Sequence, residues 1–264
     1  MIRTVAVLVF LFYSLYGSAQ DDTTRTETPE HKTVLVIPFN PLLYHNDAAK
    51  DIAQQSGKDY HQILNFFRIR LDNNLVDSLS DTCVVVSLLS SYTHTANEDL
   101  ISFHNTITYF LSEAMDYNSE QDPPSIASRL SLTKKEENRH KDKPAVNKGE
   151  LRAPVTATGD KFLNIKFLEK DFLSAFCRKY NADLVLSINE FDIKGDYSSP
   201  HKVSMNTYNM VIKLHYSIFD NTGKYLFGSF AIAEYPATET DMLKICTQSL
   251  PVAVSKIKQS VIMQ

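Results

Sequence analysis

Three short stretches of this chain are continuously apolar or β-branched: Thr33-Val34-Leu35-Val36-Ile37, Thr82 to Leu89, and Asp183 to Ile188. Strands covered on both faces need that pattern, because neither side meets water. Between the first two, from about Asp59 to Leu79, Tyr60, Ile63, Leu64, Phe67, Leu71, Leu75 and Leu79 recur at three- and four-residue steps. That spacing predicts one apolar stripe of a helix, with Arg68, Arg70, Asp72 and Asn73 turned largely away. Strand, amphipathic helix, strand is a βαβ unit, so the two strands should be parallel. Leu100, His104, Ile107, Phe110, Leu111 and Ala114 predict another helix over 97–115. Leu168, Phe172, Leu173, Phe176 and Tyr180 predict a further one, stopped by Asn181 in a left-handed conformation, with the third strand following it.

The clearest local pattern runs from Tyr208 to Phe219, where Tyr208, Met210, Ile212, Leu214, Tyr216 and Ile218 alternate with a wetter set. Asp220-Asn221-Thr222-Gly223 supplies turn chemistry, and Tyr225 to Ala233 returns as the partner strand of a hairpin. The tail from Thr238 to Met263 has helical spacing, bent near Pro251. The fold class that follows is α/β: a mixed sheet with parallel central strands plus an antiparallel hairpin, and helices packed on it.

The ends of these patterns divide the chain. Residues 1–19 carry one cation, Arg3, a short apolar run from Val5 to Phe12, and the small residues Gly17 and Ala19 before Gln20, the parts of a cleavable signal peptide. The run is too short to cross a bilayer, which takes about 20 apolar residues, so no transmembrane segment is expected after signal removal. Residues 20–32 are polar and read as a disordered lead-in; residues 33–116 and 161–264 read as two parts of one α/β domain. Between them, residues 117–160 hold Pro123-Pro124 and the mixed-charge run Lys134 to Lys143, with too few apolar side chains to offset the entropy of ordering. A disordered charged insertion is expected there.

The formal net charge is −4, and losing Arg3 with the signal moves it to −5. A mildly acidic chain lacks the clustered cations that nucleic-acid binding requires. Three cysteines, Cys83, Cys177 and Cys246, cannot form a disulfide framework, although Cys177 with Cys246 is a pair to test in an oxidising compartment.

A search for chemistry assigns no catalytic, cofactor-binding or metal residue. The 7 glycines are scattered and build no phosphate cradle, and there is no Gly-x-Ser-x-Gly elbow. His61, His94, His104 and His215 are isolated, with no second ligand at helical spacing. Asp116 to Asp122 alternates oxygen ligands as a calcium loop does, but Gln121 and Ala127 stand where the Gly and the bidentate carboxylate belong. Two candidates remain. Glu190 and Asp192 follow the third strand on one face and, if buried together, are suited to acid/base work. The loop Phe39, Leu42, Leu43, Tyr44 leaves the carboxyl end of a central strand and is unusually apolar; it is either a contact surface for a partner or a cap on the domain's own core.

The strand Thr33 to Phe39 with its helix, the segment Tyr180-Asn181-Ala182-Asp183-Leu184-Val185-Leu186, and the hairpin around Phe219-Asp220-Asn221-Thr222-Gly223-Lys224 together resemble the α/β domain of envelope-assembly proteins. These are the TolB amino-terminal domain, the lipoprotein activators of penicillin-binding proteins and the curli secretion lipoprotein. The resemblance implies an exported, non-enzymatic protein-interaction domain of the bacterial cell envelope, periplasmic or secreted, whose partners are envelope proteins. The chain departs from these relatives in having no lipobox Cys near Ala19 and in its charged insertion. The alternative is a small periplasmic hydrolase or ligand-binding protein using the acids near Asp192.

Overall fold

A computed structural model of the chain describes residues 31–89, 94–114, 161–169 and 171–264. The signal-like segment, most of the polar lead-in, the calcium-like loop and the charged insertion lie outside the described residues.

The first strand, β1 (Thr33–Ile37), is followed by a 3-10 turn (Pro41–Leu43) and a short strand, β2 (Tyr44–Asn46). Helices α1 (Ala49–Ser56) and α2 (Tyr60–Leu79) lead to β3 (Val84–Ser87). Then come α3 (His94–Asn105), β4 (Ile107–Glu113), β5 (Lys161–Phe167) and α4 (Phe172–Tyr180). The long strand β6 (Leu184–Gly195), the short helix α5 (Pro200–Ser204), the hairpin strands β7 (Asn209–Asp220) and β8 (Tyr225–Pro236), and helices α6 (Met242–Gln248) and α7 (Leu250–Ile262) complete the described order.

The main sheet runs β3-β1-β6-β7-β8, with β2 added beside β6, and β4-β5 form a separate pair. β1 lies parallel to both β3 and β6, whereas β6-β7 and β7-β8 are antiparallel. The sheet is therefore mixed, with parallel strands at its centre. Both parts of the sequence contribute: β1 and β3 come from before residue 115, β6 to β8 from after residue 160.

Alternation along β1 explains the layering. Val34 and Val36 sink into one apolar cluster with Phe67, Leu71 and Leu75 of α2 and Leu250, Val254 and Ile257 of α7. Leu35 and Ile37 enter a second cluster with Phe103, Ile107, Ile165, Phe176 and Phe219. Successive side chains of a strand point to opposite faces, so the two clusters are the two faces of one sheet. Local signals set the ends of the elements. Asp59 and Gln62 form a reciprocal cap at the start of α2, Asn181 stops α4 at φ 51°, and Gly223 takes φ 85° in the β7-β8 turn. In that turn Asp220 Oδ1 accepts from the Thr222 and Lys224 amides.

The expected helix over 97–115 is corrected. It ends at Asn105, and Ile107–Glu113 continues as strand β4. Ile107, Thr108, Tyr109 and Phe110 are β-branched or aromatic, types that fit a pleated half-buried surface, and pairing with β5 overrides the helical spacing. The helix expected from Leu168 likewise starts only at Phe172, leaving Leu168 exposed.

Candidate functional site

The β4-β5 pair docks edge-on to the sheet face that carries the second cluster. Ile107 and Ile165 pack into that cluster, and polar side chains along the β5 edge build the candidate site. Strand β6 makes this possible by changing phase. Leu184, Leu186 and Ile188 face the α2 side, but so do Phe191 and Ile193, because the register with β7 slips between Ile188 and Glu190. This bulge turns Glu190 and Asp192 away from the apolar layer and onto the β5 side. Without it, both carboxylates would point at Phe67 and its neighbours.

The free backbone edge of β5 is met by side chains from β6 and β7. The Leu163 amide donates to His215 Nδ1 at 2.6 Å, and Asn189 Nδ2 donates to the Leu163 carbonyl at 2.8 Å. Lys213 Nζ donates to the Lys161 carbonyl at 3.1 Å. Asn189 also reaches Ser217 Oγ at 2.7 Å, and Ser217 donates to Asn164 Oδ1 at 2.8 Å. The strand is thus fastened by side chains where a further strand would normally pair. Phe162 completes the contact against Gly228, where a Cβ atom would overlap the Phe162 ring at 2.6 Å.

An imidazole nitrogen that accepts from an amide has no proton to give. His215 is therefore neutral, with the proton on Nε2, and its 3.5 Å approach to Glu190 Oε2 is no ion pair. Burial, with Lys213 and Lys194 nearby, pulls the His215 pKa down to about 3. Burial and the neighbouring Asp192 push Glu190 up to about 7, against the pull of Lys194 and Lys213. Asp192 is buried at 4% exposure; its Oδ2 accepts from Lys194 at 2.7 Å, and its Oδ1 has no hydrogen-bond partner. Across the parallel β2-β6 pairing, His45 stands opposite Asp192, with its Nε2 3.5 Å from Glu190 Oε1.

Sequence reasoning paired Glu190 with Asp192, and the structure does bring them together. It missed His45, His215 and Asn189, which join them only through β2, β7 and the bulge. One signal was available: the apolar phase Leu184, Leu186, Ile188 slips to Phe191, Ile193, which announces a bulge.

The apolar loop divides in two. Phe39 and Tyr44 are buried, stacked on Phe191, and cap the domain's own core. Their rings complete the aromatic layer over β6, the second of the two readings of this loop. Leu42 is 83% exposed and Leu43 half-buried. A second buried polar group underlies this loop. Ser87 Oγ donates to Asp72 at 2.7 Å, and Arg68 lies over the Phe39 ring. It ties α2 to the end of β3.

The outer edge of β4 is the other exposed feature. Both the N–H and the C=O of Leu163 face the main sheet, so Leu163 and its partner Leu111 form a non-hydrogen-bonded pair. The Leu111 N–H and C=O therefore point away from β5. Among the described residues no strand pairs with β4 on that side. Leu111 is 64% exposed and Phe110 44%. Burial pushes the Tyr109 hydroxyl up to about 12, against the pull of the nearby Asn40 side chain.

No family model matches the chain, and no curated protein sequence matches it. Among solved structures, the crystal structure of lipoprotein GNA1162 from Neisseria meningitidis aligns with 88% of this chain and 99% of its own, at 9% identity and a TM-score of 0.32.

Proposed function

We propose that this chain is an exported, non-enzymatic protein of the bacterial cell envelope that binds another protein along the outer edge of β4. The observation that carries the reading is the side of β4 on which no strand pairs among the described residues: backbone donors and acceptors face outward at Leu111, flanked by exposed apolar side chains. A strand edge of this kind is a template for an extended segment of a partner, with backbone hydrogen bonds giving affinity and side chains giving specificity. The signal-like residues 1–19 and the resemblance of the strand and hairpin motifs to envelope-assembly domains support the compartment and the mode of action.

Leu111→Pro is the decisive variant. It removes an outward N–H without breaking a β4-β5 ladder bond, and an edge strand tolerates proline at such a position. Pull-down from a detergent-solubilised envelope fraction should recover a defined protein with the unaltered chain and lose it with Leu111→Pro, while far-ultraviolet circular dichroism and melting stay near those of the parent. Equal recovery by both chains overturns the reading.

A further inference from the structure

The cluster His45, Glu190 and Asp192 has no part in strand addition. We propose that these three side chains bind a divalent transition-metal ion of the zinc or cobalt class, through one imidazole nitrogen and one oxygen of each carboxylate.

Backbone geometry places the three donors together. His45 and Asp192 are direct partners across the parallel β2-β6 ladder, and Glu190 stands two residues before Asp192 and so on its face, which the bulge turns away from the apolar layer. One ligand atom from each lies within 4.8 Å of the others. His45 Nε2 and Glu190 Oε1 are 3.5 Å apart. Two ligands bound to tetrahedral zinc at about 2.0–2.1 Å sit roughly 3.3–3.4 Å from each other, so this pair already stands at a coordination edge. The half-exposed His45 ring can close the remaining distance.

Asp192 gives an independent indication. It is buried at 4% exposure, yet its Oδ1 has no hydrogen-bond partner. A buried carboxylate oxygen left without a donor is costly, and a coordinated cation satisfies it. Lys194, held at 2.7 Å on Oδ2, then acts as an orienting partner that fixes the carboxylate and leaves Oδ1 free to ligate. One imidazole with two carboxylates suits zinc, cobalt or manganese better than the softer ions that take thiolates. Three protein ligands leave a coordination position open on the His45 side, where the side chain is 50% exposed.

The test uses the signal-cleaved chain and metal ions alone. Titration with Co2+ should give visible absorption bands that saturate at one equivalent and vanish when Zn2+ is added. His45→Ala, at an exposed position that folding tolerates, should weaken Zn2+ binding at least about tenfold, as loss of a ligand or its support does. His201→Ala, on α5 and away from the cluster, should leave binding unchanged. Asp192→Asn is the buried counterpart, read only after its melting has been checked. No saturable binding at millimolar Zn2+, or equal binding by His45→Ala and the parent, overturns the proposal. Neither result bears on strand addition at β4.

Discussion

The titratable residues of this domain make its stability depend on pH in two opposed ways. Burial and Arg68 pull His104 down to about 4, and His215 lies at about 3, whereas an unfolded imidazole binds its proton near 6.5. Below pH 6.5 the unfolded chain takes up protons that the folded chain refuses, so unfolding becomes easier as pH falls toward 4. The His104 contribution lost over that window is up to about 3 kcal/mol. Urea unfolding at pH 7, 6 and 5 should show it, with the slope shallower in His104→Gln. Glu190 acts in the other sense. Raised to about 7, it holds a proton in the folded chain that the unfolded chain releases above 4.5, so its contribution is present in acid and lost as pH rises through 7. Glu190→Gln should therefore melt higher than the parent at pH 8 and no higher at pH 4. At the same scale, Asn189→Ala strips the Leu163 carbonyl and Ser217 of a buried donor. The expected cost is about 1–3 kcal/mol in urea unfolding. Glu190 and Asp192 were legible from their spacing alone. His45 was not, because a ligand 145 positions from Glu190 in sequence is brought in only by strand pairing.

Among the elements, the βαβ unit, the β7-β8 hairpin and the turn at Gly223 were legible because hydrophobic period and turn chemistry agree in each. Strand β4 was misread, since Ile107, Phe110, Leu111 and Ala114 happen to fall at helical steps. Its partner β5 comes after residues 115–160, so nothing local announces the pairing. The β4-β5 pair depends on its seat on the sheet at Gly228. A Cβ at Gly228 would overlap the Tyr225 hydroxyl and the Phe162 ring. Gly228→Ala should therefore force Phe162 out and cost about 1–3 kcal/mol, as overpacking does. Near-ultraviolet dichroism and hydrogen exchange should report loosening confined to β4 and β5. Exchange rates in β4 and β5 equal to the parent's would contradict the edge-on seating.

At the scale of the whole molecule, a sheet with an apolar layer on each face needs no disulfide. Cys246 lies in the layer with α2 and α7, and Cys177 in the layer with Phe103 and Phe219, on opposite faces of the sheet. A disulfide requires Cα atoms within about 7 Å, so Cys177 and Cys246 cannot pair in the folded chain. All three thiols are free, and burial pushes Cys177 up to about 11 and Cys246 up to about 12. Melting should be the same with and without a reductant. Sequence could pair the two cysteines by their apolar settings, but not assign them to faces, which only the alternation along β1 decides.

Among the described residues β4 is an edge strand, paired with β5 on one side alone. Residue-resolved amide exchange of the free chain tests this most directly. The Thr108, Phe110 and Ser112 amides, which face β5, should exchange slowly, and those of Tyr109, Leu111 and Glu113 quickly. Adding the recovered partner should slow the fast set at least about tenfold, as new backbone bonds along an added strand require. Uniform protection along β4 in the free chain, or a fast set that the partner leaves unchanged, would contradict the account.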